Sequence, residues 1–357
     1  MNRQIFSLCL ATYFAAANTF LLRASAVEPV YIGTSSCSQF ACHGRSSSSP
    51  GENWKSAYTV WATRDPHARA CDVLYSPRAE RMFELLSNTD NNVRESSSET
   101  ATASDKYLAF LKSRCLGCHA TSHPNEQKTS PSGLNENAWS DGVGCESCHG
   151  AAGGWVAEHT TSRWSDAERK NLARWGMLDT KSMAGRAAVC IECHVGPRRT
   201  TSQDQIAVDH DLIAAGHPRL LFELNTYLSN LPSHWDVSRD IRRHEQAHSP
   251  QSFHFDTWRV GQWQTAIQLS DHLADGLSSA AVGKPAAAID FANFECVACH
   301  HKLKPRSIRV DSQSVAAKVP LRLASSPFDG IQILLHSSKD PMLNILSQDV
   351  RALSKNV

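Results

Sequence analysis

Past its opening two dozen residues, this 357-residue chain has no apolar run long enough to cross a bilayer. It also has almost no net charge: 36 Lys and Arg stand against 35 Asp and Glu. That balance argues against a nucleic-acid partner or a polybasic membrane-binding surface. Strand-like alternation of apolar and polar residues is missing, so a sheet protein is not expected. No long repeat of fixed period occurs, which excludes a solenoid. Nor does the chain have cysteines to spare for a disulfide framework. Of its 12, ten fall in five short motifs, Cys9 lies in the apolar opening, and only Cys71 is left over.

The opening itself reads as a secretion signal over residues 1–26. Asn2 and Arg3 give a positive start, Ile5 to Leu22 are mostly apolar, and Ala24-Ser25-Ala26 offers a small-residue cleavage site. The expectation is a periplasmic or otherwise exported protein with no membrane span after cleavage. An uncleaved anchor helix is the alternative, because the apolar stretch approaches the length of a span.

What the chain has instead is Cys-x-x-Cys-His, four times: Cys115, Cys118 and His119; Cys145, Cys148 and His149; Cys190, Cys193 and His194; Cys296, Cys299 and His300. This is the attachment pattern of a c-type haem (heme c). Two thiols add to the porphyrin vinyl groups, and the following His ligates the iron. A wider variant, Cys37…Cys42-His43, keeps the terminal Cys-His pair and predicts a fifth haem, with a Cys37–Cys42 disulfide as the alternative. Structural zinc is the rival reading of paired cysteines, but it needs no trailing His and would not recur four times. Removing the signal leaves about 330 residues, roughly 66 per haem, too few for five separate domains. One or two lobes wrapped around a haem array are expected, with Arg and Lys facing the propionates.

Helical segments are predicted over 54–86, with Val73, Leu74, Met82, Phe83, Leu85 and Leu86 as core contacts, and over 105–115, with Tyr107, Leu108 and Leu111 on one side. Ser165-Asp-Ala-Glu168 resembles a capping box for a helix to about Met177. Asp256 is placed as the cap of a long helix to about Asp275. Glycines flank the Cys145 motif and would let backbone pass close to a flat macrocycle. The fold class is mainly α with much irregular chain. The divisions are 27–204 for a four-motif lobe, 205–310 for a fifth-haem module and 311–357 for a tail.

A low-spin electron-transfer haem wants a second strong ligand, and histidine is the usual one. Twelve histidines remain outside the motifs. His67, His159 and His217 lead, because small residues nearby would let a porphyrin approach, and His210 follows. The others, His234, His244, His254 and His272 among them, are read as solvated or as propionate partners. Cys71 is read as a buried free thiol beside a cofactor or as a reactive site.

Taken in order, Cys37…His43, Asp65-Pro-His67-Ala-Arg-Ala70, Cys115-Leu-Gly-Cys-His119, Gly142-Val-Gly-Cys-Glu-Ser-Cys-His-Gly150 with His159, and Cys190-Ile-Glu-Cys-His194 resemble the tetrahaem cytochromes of ammonia oxidisers. The resemblance covers roughly residues 30–200. It implies a mainly helical fold, stacked or perpendicular haem pairs related to the packing in hydroxylamine oxidoreductases, and His67 and His159 as distal ligands. It also implies an open sixth position at the haem of His119. The four-residue spacer in the first motif and Cys at position 71 depart from the pattern.

The reading that follows is electron transfer between a redox protein donor and acceptor, with no catalytic side chains. An enzyme acting on small nitrogen or sulfur oxides at one open haem is the alternative. A Cys-x-x-Cys-Lys motif, which pentahaem nitrite reductases use, is absent.

Overall fold

The computed structural model describes residues 29–87, 102–121, 141–161, 164, 171–197, 208–219, 221–248, 252–281, 290–294, 296 and 300. The predicted signal, the tail and Cys299 lie outside these. Ten α-helices occur among the described residues, in chain order α1 (Ala57–Arg64), α2 (Pro77–Leu86), α3 (Ala103–Arg114), α4 (Leu116–His119), α5 (Cys145–His149), α6 (Met183–His194), α7 (His210–Ala215), α8 (Leu224–Asn230), α9 (Val237–His248) and α10 (Phe253–Ala281). Short 3₁₀ turns and irregular chain join them, and no strand forms among the described residues.

The segment predicted as helical over 54–86 is two helices. Pro66 and Pro77 each open a new element, since proline supplies no N–H to continue a helix. Between them lie 3₁₀ turns at Pro66–Arg69 and Asp72–Tyr75. Helix α3 begins at a reciprocal capping box, with the Thr102 hydroxyl accepting from Asp105 N–H and the Asp105 carboxylate accepting from Thr102 N–H. Residues 165–170 of the other expected capping box lie outside the described set. Leu172–Trp175 is a 3₁₀ turn closed by Gly176 in the left-handed region. Asp256 does not cap α10, which starts three residues earlier; it lies inside the first turn and accepts from Arg259 and pairs with His244.

Two apolar clusters anchor these helices. The first gathers Cys71, Leu74, Leu86, Phe110, Leu111, Leu116, Ala120 and Leu212. The second joins Ala187, Ile191 and Leu224, with Val260 packed against them. Val73, Leu85 and Leu108, expected in the core, are exposed. Both clusters draw from each side of position 205, because α7 lies on α2 and α10 runs along α6. Described residues beyond 205 therefore pack against the four-motif segment. Gly261 permits the close approach of α10, since a Cβ there would stand 2.6 Å from the Leu224 side chain.

Candidate functional site

The first four Cys-His motifs sit where chain geometry is locally fixed. Motifs two to four lie at the ends of helices or form short ones: Cys115 is the residue between α3 and α4, Cys145–His149 is α5 itself, and Cys190 to His194 is the last turn of α6. A helical turn brings the two thiols and the His onto one side, which is what a planar ligand bound at three points requires. Cys37 closes a 3₁₀ turn, Thr34–Cys37, and His43 follows a second turn.

Numbering the sites by motif, each proximal imidazole faces one further imidazole. The ring centres are 6.4 Å apart for His43 and His159 (site 1), 6.3 Å for His119 and His217 (site 2), and 6.2 Å for His149 and His234 (site 3). They are 6.0 Å apart for His194 and His67 (site 4) and 6.2 Å for His300 and His210 (site 5). An imidazole nitrogen binds a first-row metal at about 2 Å, and its ring centre lies roughly 1 Å further back. Two imidazoles trans on one iron therefore have centres about 6 Å apart. The spacing of the five pairs matches that of two imidazoles on one iron, so these side chains fit bis-histidine ligation.

The supports of these rings differ. His43 Nδ1 donates to the Trp54 carbonyl at 2.7 Å, His119 to Ala70 at 2.8 Å, His159 to Val156 at 2.6 Å and His217 to Pro218 at 2.8 Å. A carbonyl can only accept, so each Nδ1 carries the proton and each Nε2 is left bare for a metal. His67 Nδ1 donates to the Asp65 carboxylate at 2.8 Å. Burial pulls the His149 and His194 pKa values down to about 4, which keeps both imidazoles neutral, the form that ligates.

His67 is held from a second direction. Its carbonyl accepts from Val143 N–H at 2.9 Å, just before the Cys145 motif. That contact explains Gly142, whose φ is +62° and whose added Cβ would stand 2.6 Å from the His67 carbonyl. Gly144 leaves room for Thr34, and Gly150 for the Gly176 carbonyl. The flanking glycines thus admit neighbouring backbone and side chains. Gly142→Ala is expected to cost about 2 kcal/mol or more in denaturant unfolding of the holoprotein, because strain and clash add.

The motifs are neighbours in a different order from the sequence. The Cys37 thiol lies beside that of Cys145, and Cys118 beside that of Cys193. Cys193 Sγ also lies 3.9 Å from the Gly117 carbonyl. Helices α5 and α6 touch, bringing Cys148 near Cys190. Arg219, two residues beyond His217, reaches Cys296 Sγ at 3.0 Å. Site 1 thus adjoins site 3, site 3 adjoins site 4, site 4 adjoins site 2, and site 2 adjoins site 5.

Cys37 and Cys42 are both half-buried free thiols. Burial pushes Cys148 up to about 12 and Cys190 to about 11. Among the described residues no three His, Cys, Asp or Glu side chains gather as a metal site. Cys71 is 3% exposed within the first apolar cluster, and burial raises its thiol pKa.

His234 is the site residue that the sequence did not single out. It follows Leu231-Pro232-Ser233, without the small neighbours that marked His67 and His217, and its ring packs edge-on against Trp235 at 5.3 Å. Arg186 of α6 lies over that same Trp235. Three other histidines bond to protein groups: His244 to Asp256, His254 to Asn225 and His272 to the Pro197 carbonyl; His123, His301 and His336 lie outside the described residues.

Residues 36–150, about a third of the chain, match the family described as Cytochrome c554 and c-prime. The matched stretch contains the first three motifs. This similarity supports a multihaem c-type cytochrome, with covalently bound haem used for electron transfer. No curated protein and no solved structure matches the chain significantly. Among the described residues no helix is long and apolar enough to cross a membrane.

Proposed function

We propose that the protein is an exported electron carrier holding five c-type haems, each ligated by two histidines. The observation that carries this reading is the set of five ring pairs, all between 6.0 and 6.4 Å. When bound, each haem supplies a one-electron iron(III)/iron(II) couple. The chain's task is to fix ligands, spacing and exposure. Tunnelling falls steeply with distance, so adjacency of the attachment motifs matters more than any reactive side chain.

The neighbour relations support a line running 1–3–4–2–5. Both ends reach the surface. Near site 1, Phe40 is 70% exposed and Trp54 48% exposed; at site 5, Cys296 and His300 are exposed and Phe291 is 59% exposed. Redox protein donor and acceptor would dock at these two ends, in the periplasm or an equivalent exported compartment. The enzyme alternative needs an iron without a second imidazole. His217 opposite His119 supplies one at the position where the resemblance implied a vacancy, and no observation favours a nitrogen-oxide substrate.

Two measurements on the purified holoprotein test the proposal. A pyridine haemochrome assay against protein concentration should count five haems. EPR of the ferric form should show low-spin signals only, in two classes. The ring planes are nearly parallel at site 1 (12°) and site 5 (26°), but crossed at sites 2, 3 and 4 (87°, 69° and 80°). Parallel ligand planes split the iron dπ orbitals and give rhombic spectra, whereas crossed planes leave them close in energy and give a single feature at large g. Two haems of the first kind and three of the second are expected. A count of four, or a high-spin signal, would sink the reading.

A further inference from the structure

Site 4 differs from the other sites in what holds its imidazoles. At the other sites the ring Nδ1 partner is a backbone carbonyl, at His43, His119, His159 and His217, or the Thr180 hydroxyl, 3.4 Å from His149. At His67 it is a carboxylate, with Asp65 Oδ1 2.8 Å away, and Asp65 is only 6% exposed. Across the same site, His194 Nδ1 is buried with no hydrogen-bond partner. His234 Nδ1 of site 3 is likewise buried without a partner, and among the Nδ1 contacts of the described residues a carboxylate occurs at His67 alone.

We infer that Asp65 is a positioning residue that sets the reduction potential of site 4, making it the hardest of the five to reduce. The inference rests on the five-haem reading. A carboxylate that accepts the Nδ1 proton raises the basicity of the ligating nitrogen, and a more basic ligand favours iron(III) over iron(II). The negative charge acts in the same direction through space, and burial leaves it poorly screened. The Asp65 carboxylate accepts both the His67 ring N–H and the His67 backbone N–H, and two donated hydrogen bonds favour its charged form. His234 of site 3 also faces Asp65, but without a hydrogen bond to it, so its share is the weaker through-space part.

Asp65 has a second task that any test must separate from the first. Its side chain also accepts from His67 N–H at 3.0 Å, capping the Pro66–Arg69 turn. Asn and Ser cap such turns about as well as Asp, but neither carries charge. In the line 1–3–4–2–5, a hard-to-reduce centre at site 4 divides the array. Electrons would pool on sites 1 and 3 or on sites 2 and 5, with one uphill step between the pairs.

The test is a potentiometric titration of the holoprotein followed by EPR, for the parent and for D65N, D65S and D65E. In D65N, one component of the crossed-ligand class should become easier to reduce by tenfold or more in its equilibrium constant, about 59 mV for one electron. All haems should stay bound and low-spin. D65S should shift the same component in the same direction, and D65E should restore the parent value. Unchanged potentials in D65N, an equal movement of every component, or the same shift in D65E as in D65N would overturn the inference. A haem count below five, or a high-spin signal in the parent, would instead report failure of the five-haem reading.

Discussion

Replacing His217 by Ala should turn one haem in five from low-spin to high-spin, and the reduced variant should bind carbon monoxide at that one haem while the parent binds none. The size of this effect comes from how completely the structure commits His217 to site 2. Helix α7 ends at Gly216, whose φ of +123° turns the chain, and His217 N–H then donates to the Leu212 carbonyl at 2.9 Å. Arg78 of α2 fixes the same corner by donating to the Gly216 carbonyl at 2.9 Å. The ring is thus delivered from a braced turn, 6.3 Å from His119 and crossed at 87°. His119 is anchored separately through Ala70, so removing its partner should open the distal face without releasing the proximal ligand. Visible and EPR spectra before and after carbon monoxide addition read the outcome. A parent that is already high-spin at one haem, or an H217A variant that remains fully low-spin, would contradict the assignment. His217 lies beyond the matched stretch at 36–150, so similarity over that stretch could not have placed it.

The contrast between proximal and distal positions explains how far the sequence could be read. A Cys-His motif is a local object: three residues brought together by one turn of chain, visible in five consecutive letters. A distal ligand is a tertiary object. His159 lies ten residues from the His149 motif yet faces His43, and His67 precedes every ordinary motif yet faces His194, near the end of the four-motif segment. Small neighbours suggested which histidines had room around them, and that rule reached His67, His159 and His217. It missed His234, whose next neighbour is the large ring of Trp235, packed in turn under Arg186 from the distant α6. Helix boundaries divide the same way. The capping box at Thr102 and Asp105 is legible because donor and acceptor are three residues apart. Asp256 looked equally like a cap, but its partners are Arg259 and His244, the latter from the preceding helix.

Glu146 illustrates a residue whose motif setting concealed its task. Within Cys145-Glu-Ser-Cys148-His149 it occupies a position that haem attachment leaves free to vary, yet it is 3% exposed. Its carboxylate accepts three backbone N–H groups: Ile32 at 3.0 Å, Gly33 at 2.9 Å and Ala152 at 2.7 Å. Ile32 and Gly33 lead directly into the Thr34–Cys37 turn, so Glu146 ties the first attachment motif to the helix that carries the third. Ala152 begins the segment that brings Trp155 and His159 over site 1. One side chain therefore fixes both the proximal and the distal approach to site 1, and holds Cys37 against Cys145. Glu146→Ala would leave three buried donors without an acceptor, each costing about 1–3 kcal/mol. Part of that would be recovered as the N-terminal segment lifts into water, so a net loss of about 3–5 kcal/mol is expected. Glu146→Gln keeps the shape and one accepting oxygen but turns an amide donor toward backbone N–H groups, so it should fall between the two. Hydrogen exchange supplies the local readout: in E146A the amides of residues 32–37 should lose protection while those of α6 and α10 keep it. The Soret circular dichroism that arises from close haem pairs should weaken as site 1 moves from site 3. If E146A retained parental protection at residues 32–37, the first motif would have to be held to the third by some other means, and the 1–3 step of the proposed line would lose its structural basis.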